Sequence, residues 1–107
     1  MKICAISDTH GKHNVLTIPS VDVLIHCGDF SAYSRKKETN RFLSWFIKQP
    51  ATYKIFVAGN HDTSWQNDPL WKQSIIKLLN DNVFYLEDSG VEIDGLKFWG
   101  SPWQPEF

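Results

Sequence analysis

The chain has 107 residues, which is enough for one small domain and not for two. Eleven Lys and Arg residues against twelve Asp and Glu residues give a formal net charge of −1, so the chain as a whole has no electrostatic attraction to nucleic acid or acidic membranes. No apolar run approaches the ~20 residues of a membrane-spanning helix, and the apolar N-terminal run is too short for a signal peptide. We therefore expect a cytoplasmic, globular protein.

Three short apolar runs alternate with segments that read as helix or loop. Residues 2–6, 21–27 and 53–58 each stop at Ser, Gly or Asp, which is typical of strands buried on both faces of a sheet. A helix is predicted between the second and third runs, with Ser34 as its N-cap and Pro50 after its end. The order βαβαβ predicts an α/β fold, a parallel sheet with right-handed crossovers.

The remainder of the chain predicts a second helix, a short strand at residues 83–86 and a hairpin. Asp68 and Pro69 suit the N-cap and first position of that helix. Its inner face is expected to carry Leu70, Trp71, Ser74, Ile75, Leu78 and Leu79. Asp94-Gly95 is a two-residue turn signal that predicts the β-hairpin. A parallel core of three strands with the hairpin attached is expected to leave one sheet edge and one apolar face uncovered, and such surfaces promote self-association.

The two cysteines and a strand histidine are predicted to be structural. Cys4 and Cys27 lie in apolar runs and are expected to be buried free thiols. If Asp8 and Asp29 end neighbouring strands at one level, the two cysteine Cα atoms lie ~8 Å apart, beyond the ~7 Å limit for a disulfide. His26 precedes Asp29 by three residues, so strand alternation turns it to the opposite face, as a core or supporting histidine.

Residue types that bind metals follow each of the three predicted parallel strands. They are Asp8-Thr9-His10, Gly28-Asp29 and Gly59-Asn60-His61-Asp62. Because the carboxyl ends of parallel strands meet at one edge of the sheet, these side chains are expected to converge. Carboxylate, imidazole and amide ligands suit Mn, Fe, Zn or Mg ions. One Asp or Asn after a strand is more often a turn former, but three such motifs in register predict a metal site.

The three motifs, D-x-H, G-D and G-N-H-D, each after a strand, resemble those of the calcineurin-like metallophosphoesterase superfamily. Residues 22–30, 53–62, 85–90 and 100–107 are similar to its MPPED (UPF0046-type) branch. The resemblance covers residues 1–107, and these correspond to the N-terminal half of a family member, a truncated calcineurin-like phosphoesterase domain. It implies the N-terminal half of an αββα sandwich, with a parallel βαβαβ core and a C-terminal β-hairpin.

The resemblance further implies a binuclear metal centre. Asp8 and His10 would hold one ion, and Asp29 would bridge it to a second. Asn60 would bind that second ion. Two such ions, ~3.5–4 Å apart, make a nucleophile at neutral pH and stabilise charge on the oxygens of a phosphoester. The family's later metal-binding histidines are not in the sequence and His13 does not replace them, so the centre is expected to be incomplete, with one weakly bound ion.

The catalytic residues implied by the resemblance are His61 and Asp62. His61 would act at the leaving-group oxygen as general acid or transition-state stabiliser, and Asp62 would orient it by a hydrogen bond. The implied function is hydrolysis of a small-molecule phosphomono- or phosphodiester, cyclic nucleotides included. Two alternatives stay open: an inactive truncated remnant, and a half-domain that assembles with a second copy or another chain.

Two further features are more typical of structure than of function. The basic run Arg35-Lys36-Lys37 usually means a solvated helix face, although its place after Gly28-Asp29 would allow it to attract phosphate. Trp65 and Trp103 lie in predicted loops near the site, where they could stack on a base. We expect both to be packing residues.

Overall fold

The computed structural model of the chain describes residues 1–102, and a four-stranded parallel sheet forms its centre. The strands, in their order across the sheet, are β1 (Ile3–Ile6), β2 (Val21–His26), β3 (Ala51–Phe56) and β4 (Val83–Tyr85). All three neighbouring pairs are parallel, which confirms the α/β prediction. The core has four strands where three were expected, because the short strand predicted at residues 83–86 pairs with Lys54, Ile55 and Phe56 of β3.

Helices pack on one face of the sheet. The connections contain a 3-10 turn and three α-helices: His13–Val15, α1 (Lys36–Phe46), α2 (Thr63–Gln66) and α3 (Pro69–Ile76). Phe42 and Phe46 of α1 and Trp65 of α2 are fully buried in one cluster with Leu24 and Phe56 of the sheet. Trp65 is therefore a packing residue, as predicted, while Trp103 lies outside the described residues. None of the helices within residues 1–102 has the length and apolar character needed to cross a membrane.

The first helix begins differently from the prediction. Its N-cap is Arg35, and Ser34, the predicted N-cap, has a φ of 56°. The carboxylate of Glu38 accepts hydrogen bonds from the backbone N–H groups of Tyr33 and Arg35 at 3.0 and 3.1 Å. A side chain inside the first turn therefore caps the helix, which a search for a capping residue before the helix does not detect.

The second predicted helix, α3, has Asp68 as its N-cap, as expected, but its buried face is different. Leu70 and Leu78 are 86% and 80% exposed and Ser74 is exposed as well, so the placement of these three residues on the inner face was wrong. The helix ends at Ile76, and Leu78 therefore lies beyond the regular turns. Lys72 is buried in their place, and its ammonium group lies 2.9 Å from a carboxylate oxygen of Glu87.

The predicted hairpin is confirmed, and it packs on the sheet face opposite the helices. Strands β5 (Ser89–Ile93) and β6 (Leu96–Gly100) are antiparallel, and both turn residues, Asp94 and Gly95, have positive φ, as a type I′ turn requires. A second buried cluster joins hairpin and sheet: Val23, Ile55, Leu86 and Ile93. The hairpin therefore covers part of this sheet face, while Ile3 on the edge strand β1 and Trp99 of the hairpin stay exposed.

Both cysteines are free, as predicted, but their burial was predicted wrongly. Cys4 is only partly buried and Cys27 is exposed. Cys4 lies opposite Leu24, so Cys27 is offset from it by three residues instead of the predicted two. Since each residue of a strand advances the chain by ~3.3 Å, the offset places the thiols further apart than expected.

Candidate metal centre

The loops after β1 and β2 continue the pairing of their strands and bring the predicted ligands together. The backbone N–H groups of Asp8 and His10 donate to the carbonyl oxygens of Gly28 and Asp29 at 2.9 and 3.0 Å. Asp8, His10 and Asp29 have φ values of 55°, 46° and 59°. This left-handed conformation is costly for residues other than glycine and clusters at functional sites, where surrounding contacts enforce it.

The three residues predicted for the first ion converge. One ligand atom from each of Asp8, His10 and Asp29 lies within 4.8 Å of the others. The Nδ1 atom of His10 lies 3.3 Å from the carbonyl oxygen of Ser31. Because a carbonyl can only accept, Nδ1 carries the proton, and Nε2 keeps its lone pair for a metal ion.

The side chain of Asn60, the ligand predicted for a second ion, meets the carboxylate of Asp29. Its amide end lies 2.9 and 3.0 Å from the two carboxylate oxygens. With the amide nitrogen in this position, Asn60 donates to both oxygens. Asn60 therefore contacts Asp29, the residue predicted to bridge the two ions.

His61 lies exposed at the mouth of the centre. Its backbone N–H donates to Asp29 Oδ1 at 2.9 Å, and its ring stands edge-on to the ring of His10, with centroids 5.0 Å apart. Asp29, one of the predicted ligands, therefore also holds the loop that carries His61. The imidazole is within reach of a group bound beside His10.

Asp62 is buried and ties the two loops together. Its carboxylate accepts hydrogen bonds from the backbone N–H groups of Asp29, Ser31 and Gly59 at 2.8, 3.0 and 2.8 Å, and from the Ser31 hydroxyl at 2.7 Å. The expected hydrogen bond to the ring of His61 is not found among residues 1–102. Sequence reasoning missed this arrangement, because it joins positions more than 30 residues apart and Ser31 belongs to no metal-binding motif.

Two glycines allow these loops to approach each other. A Cβ atom on Gly28, which has a φ of 108°, would lie 2.9 Å from the backbone of Gly59. A Cβ atom on Gly59 would overlap Oδ1 of Asp29. The motifs G-D and G-N-H-D therefore need glycine at their first position, because any side chain there would clash with the neighbouring loop.

His26 supports the centre from the core, as predicted. It is fully buried, its Nδ1 accepts a hydrogen bond from the backbone N–H of Gly28 at 3.1 Å, and its Nε2 lies 2.9 Å from the hydroxyl of Thr9. Since Nδ1 accepts, Nε2 carries the proton and donates to Thr9. Burial lowers the pKa of His26 to about 4, so the ring is neutral at neutral pH.

The two carboxyl groups of the centre influence each other. Burial raises the pKa of Asp29, and the nearby carboxyl of Asp8 raises it further. The pKa of Asp8 is lowered, first by the hydrogen bond from the Ser7 hydroxyl at 2.6 Å. Two acids that compete in this way gain from a cation placed between them. The donor set therefore fits a divalent ion.

Comparison with known proteins agrees with this geometry. The sequence profile described as calcineurin-like phosphoesterase matches residues 1–103. The chain is 36% identical to human metallophosphoesterase domain-containing protein 1 over 125 residues, covering 99% of the chain and 38% of that protein. It is 37% identical to UPF0046 protein K07C11.7 of Caenorhabditis elegans over 116 residues, covering 98% and 40%. The chain thus spans about two fifths of the length of these relatives, and it belongs to the calcineurin-like phosphoesterase family.

Proposed function

We propose that the chain carries the metal-binding part of a phosphoesterase that hydrolyses small-molecule phosphomono- or phosphodiesters, with cyclic nucleotides among the candidate substrates. The observation that carries the proposal is the convergence of Asp8, His10 and Asp29 within 4.8 Å in a member of this family. We also propose a cytoplasmic location, where a reducing environment would keep the exposed thiol of Cys27 free.

The donor set suits Mn, Fe, Zn or Mg, since it combines carboxylate, imidazole and amide groups. A divalent ion held there would lower the pKa of an attacking water and stabilise negative charge on phosphoryl oxygens. The chain's own residues would orient the substrate. His61, exposed beside His10, would hold a proton at the leaving-group oxygen, and Asp62 would keep the loops of Asp29 and His61 in register.

We further propose that the centre in this chain is incomplete. The first ion would have three side-chain ligands, Asp8, His10 and Asp29, whereas a second would have only Asp29 and Asn60. A site with two protein ligands holds a transition metal weakly, so one ion should bind and the second position should stay mostly empty. Hydrolysis by this chain alone should then be several orders of magnitude slower than with two ions, because each lost stabilisation of several kcal/mol costs a factor of ten per ~1.4 kcal/mol.

The proposal is tested by Mn binding and by hydrolysis of bis-p-nitrophenyl phosphate. We expect weak binding of one ion, detected by electron paramagnetic resonance, and its loss in Asp29→Ala. The matched control is Asp81→Ala, which removes an exposed carboxylate outside the centre. Equal binding by wild type and Asp29→Ala contradicts the metal site. Rapid hydrolysis that Asp29→Ala abolishes contradicts the incomplete centre.

One observation favours the half-domain alternative. An apolar groove of about 270 Å³ opens on the hairpin side of the sheet, and its walls include Ile25, Val57, Phe98 and the exposed Cys27. Exposed apolar surface of this kind promotes association. Light scattering over a range of concentrations tests it: a second copy in the groove predicts a dimer, and a monomer at high concentration contradicts it.

A further inference from the structure

A basic cleft opens beside the metal centre, and His10 forms part of the wall of both. The cleft encloses about 300 Å³ between the loop after β1 and the first two turns of α1. Its walls include His10, His13, Tyr33, Arg35, Lys37 and Arg41. A group bound in it would therefore lie next to whatever occupies the metal centre.

The side chains that line the cleft carry a net positive charge. Arg35, Lys37 and Arg41 form no salt bridge within residues 1–102, whereas the neighbouring Lys36 is paired with Asp68 at 2.7 Å. Glu38 also lines the cleft, but its carboxylate accepts hydrogen bonds from the backbone N–H groups that precede the helix. Three cations against one internally bonded carboxylate leave an excess of positive charge in a concave site, which attracts anions.

His13 closes the cleft on the side of the hydrophobic core. Only 6% of the residue is exposed, it packs against the rings of Phe42 and Trp45, and it lines the cleft. Its Nδ1 atom has no hydrogen-bond partner in the part of the chain that the structure describes. The same atom has almost no accessible surface, so it does not face the cleft, and His13 contributes a buried aromatic part of the cleft wall.

We propose that this cleft binds a second phosphate group of the substrate, while the ester phosphate lies at the metal centre. The inference rests on the proposed phosphoesterase function and narrows its substrates to compounds with two phosphate groups, such as nucleoside bisphosphates. Lys37 and Arg41 are four residues apart on α1 and therefore face the same side of the helix. A guanidinium group binds phosphate oxygens in pairs, so Arg35 and Arg41 supply geometry as well as charge.

The exposed ring of Tyr33 supports a nucleoside over a simple polyphosphate. It is 78% exposed, and the Arg35 guanidinium lies 5.6 Å from its centroid. An aromatic face and an Arg at the rim of a phosphate site offer a surface on which a base can stack. In the sequence alone, the basic run is typical of a solvated helix face. In the structure, Arg35 and Lys37 of that run line the cleft.

Calorimetry with adenosine 3′,5′-bisphosphate and adenosine 5′-monophosphate tests the proposal, in Mn and in EDTA. We expect the full chain to bind the bisphosphate about tenfold more tightly, as one additional set of charged hydrogen bonds provides. The double variant Lys37→Gln/Arg41→Gln should reduce that preference to less than twofold. Lys48→Gln, which removes a charge just beyond the other end of the same helix, should leave it unchanged. Gln is a good helix former and both replaced residues are exposed, so the variants should fold.

Equal affinities for the two nucleotides, or a preference that survives the double substitution, overturn the cleft proposal. The EDTA arm separates it from the proposed function, since binding to the cleft alone does not need Asp29. If the chain prefers the bisphosphate in EDTA, and if Asp29→Ala leaves Mn binding unchanged, the cleft proposal is supported and the metal centre is contradicted. Mn binding that depends on Asp29 with no preference for the bisphosphate contradicts the cleft alone.

Discussion

Replacing Asp62 by Asn tests whether the buried carboxylate holds the two site loops together. The substitution keeps the shape of the side chain but turns one carboxylate oxygen into an NH₂ group. Oδ2 accepts from the backbone N–H groups of Asp29, Phe30 and Gly59, and Oδ1 accepts from the N–H and hydroxyl of Ser31. An NH₂ group at either position therefore faces donors and leaves at least one buried N–H group unpaired.

The magnitude follows from the number of bonds lost. Each buried donor without a partner costs ~1–3 kcal/mol, and the less costly orientation puts the NH₂ group at Oδ1 and leaves the N–H of Ser31 unpaired, so Asp62→Asn should lower the free energy of unfolding by ~1–3 kcal/mol. That is a substantial part of the ~5–15 kcal/mol that stabilises a domain of this size. Ser31→Ala removes one donor and should cost only ~1 kcal/mol. The difference between the stability losses of Asp62→Asn and Ser31→Ala measures how much of the stabilisation by Asp62 comes from its hydrogen bonds with backbone amides.

Urea-induced unfolding, followed by tryptophan fluorescence, measures both variants. Trp65 is fully buried three residues after Asp62 and reports on the packing beside the loop. Asp81→Asn is the matched control, because it makes the same chemical change at an exposed position. Mn binding should be lost from Asp62→Asn even where it remains folded, since Asp29 and Asn60 are no longer held in register. A loss of stability below ~1 kcal/mol for Asp62→Asn refutes the reasoning.

Two further predictions concern side chains outside the ligand set. The pKa of His26 is about 4 in the folded chain, below the ordinary value of 6.5. As the pH falls, the unfolded chain therefore binds the proton before the folded chain does. The free energy of unfolding should then fall by ~3 kcal/mol between pH 6.5 and pH 4. Urea titrations at several pH values measure this, and His26→Leu should lose most of the slope above pH 5; an unchanged slope contradicts the assignment. Cys27 is the more exposed thiol, so it should react faster than Cys4 with Ellman's reagent in the native protein; the assay is run at alkaline pH, because burial raises the pKa of Cys27. A native protein with no reactive thiol contradicts the exposure of Cys27.

The sequence was sufficient to predict where the ligands converge, because strand ends are marked by simple local signals. The apolar runs before Asp8 and Asp29 define two parallel strands, and adjacent parallel strands necessarily bring their carboxyl ends together. The fourth strand was assigned to the tail because residues 83–85 are too short a run to show which neighbour they pair with. Leu78 was misplaced because the helix that forms ends at Ile76 and is shorter than the predicted one. Leu70 lies in the first turn of α3 and is exposed there, because helical spacing alone does not show which face of a short helix packs.

The supporting contacts of the centre could not be predicted from the sequence, for a different reason. Asp62 reads as one more acidic residue in a metal-binding motif, and only the folded chain shows its carboxylate enclosed by backbone N–H groups from another loop. Glu38 likewise reads as an ordinary helix residue, yet it closes the turn before α1. Hydrogen bonds between distant backbone groups leave no periodic pattern, and such contacts are known only once the topology is known.

Because Asp8 and His10, two of the predicted metal ligands, have left-handed backbone conformations, selection for stability and selection for metal binding should favour different residues at these positions. Asp8 and His10 hold positive φ angles that glycine adopts without steric cost, so a glycine at either position should stabilise the fold by up to ~1 kcal/mol. A library selected for thermal stability alone should therefore accumulate glycine at positions 8 and 10 and lose the centre. Persistence of Asp and His under that selection would mean that their side chains stabilise the apo-protein by more than the backbone strain costs. Retention of Asp and His only when Mn is present during selection would identify the ion as the compensating factor.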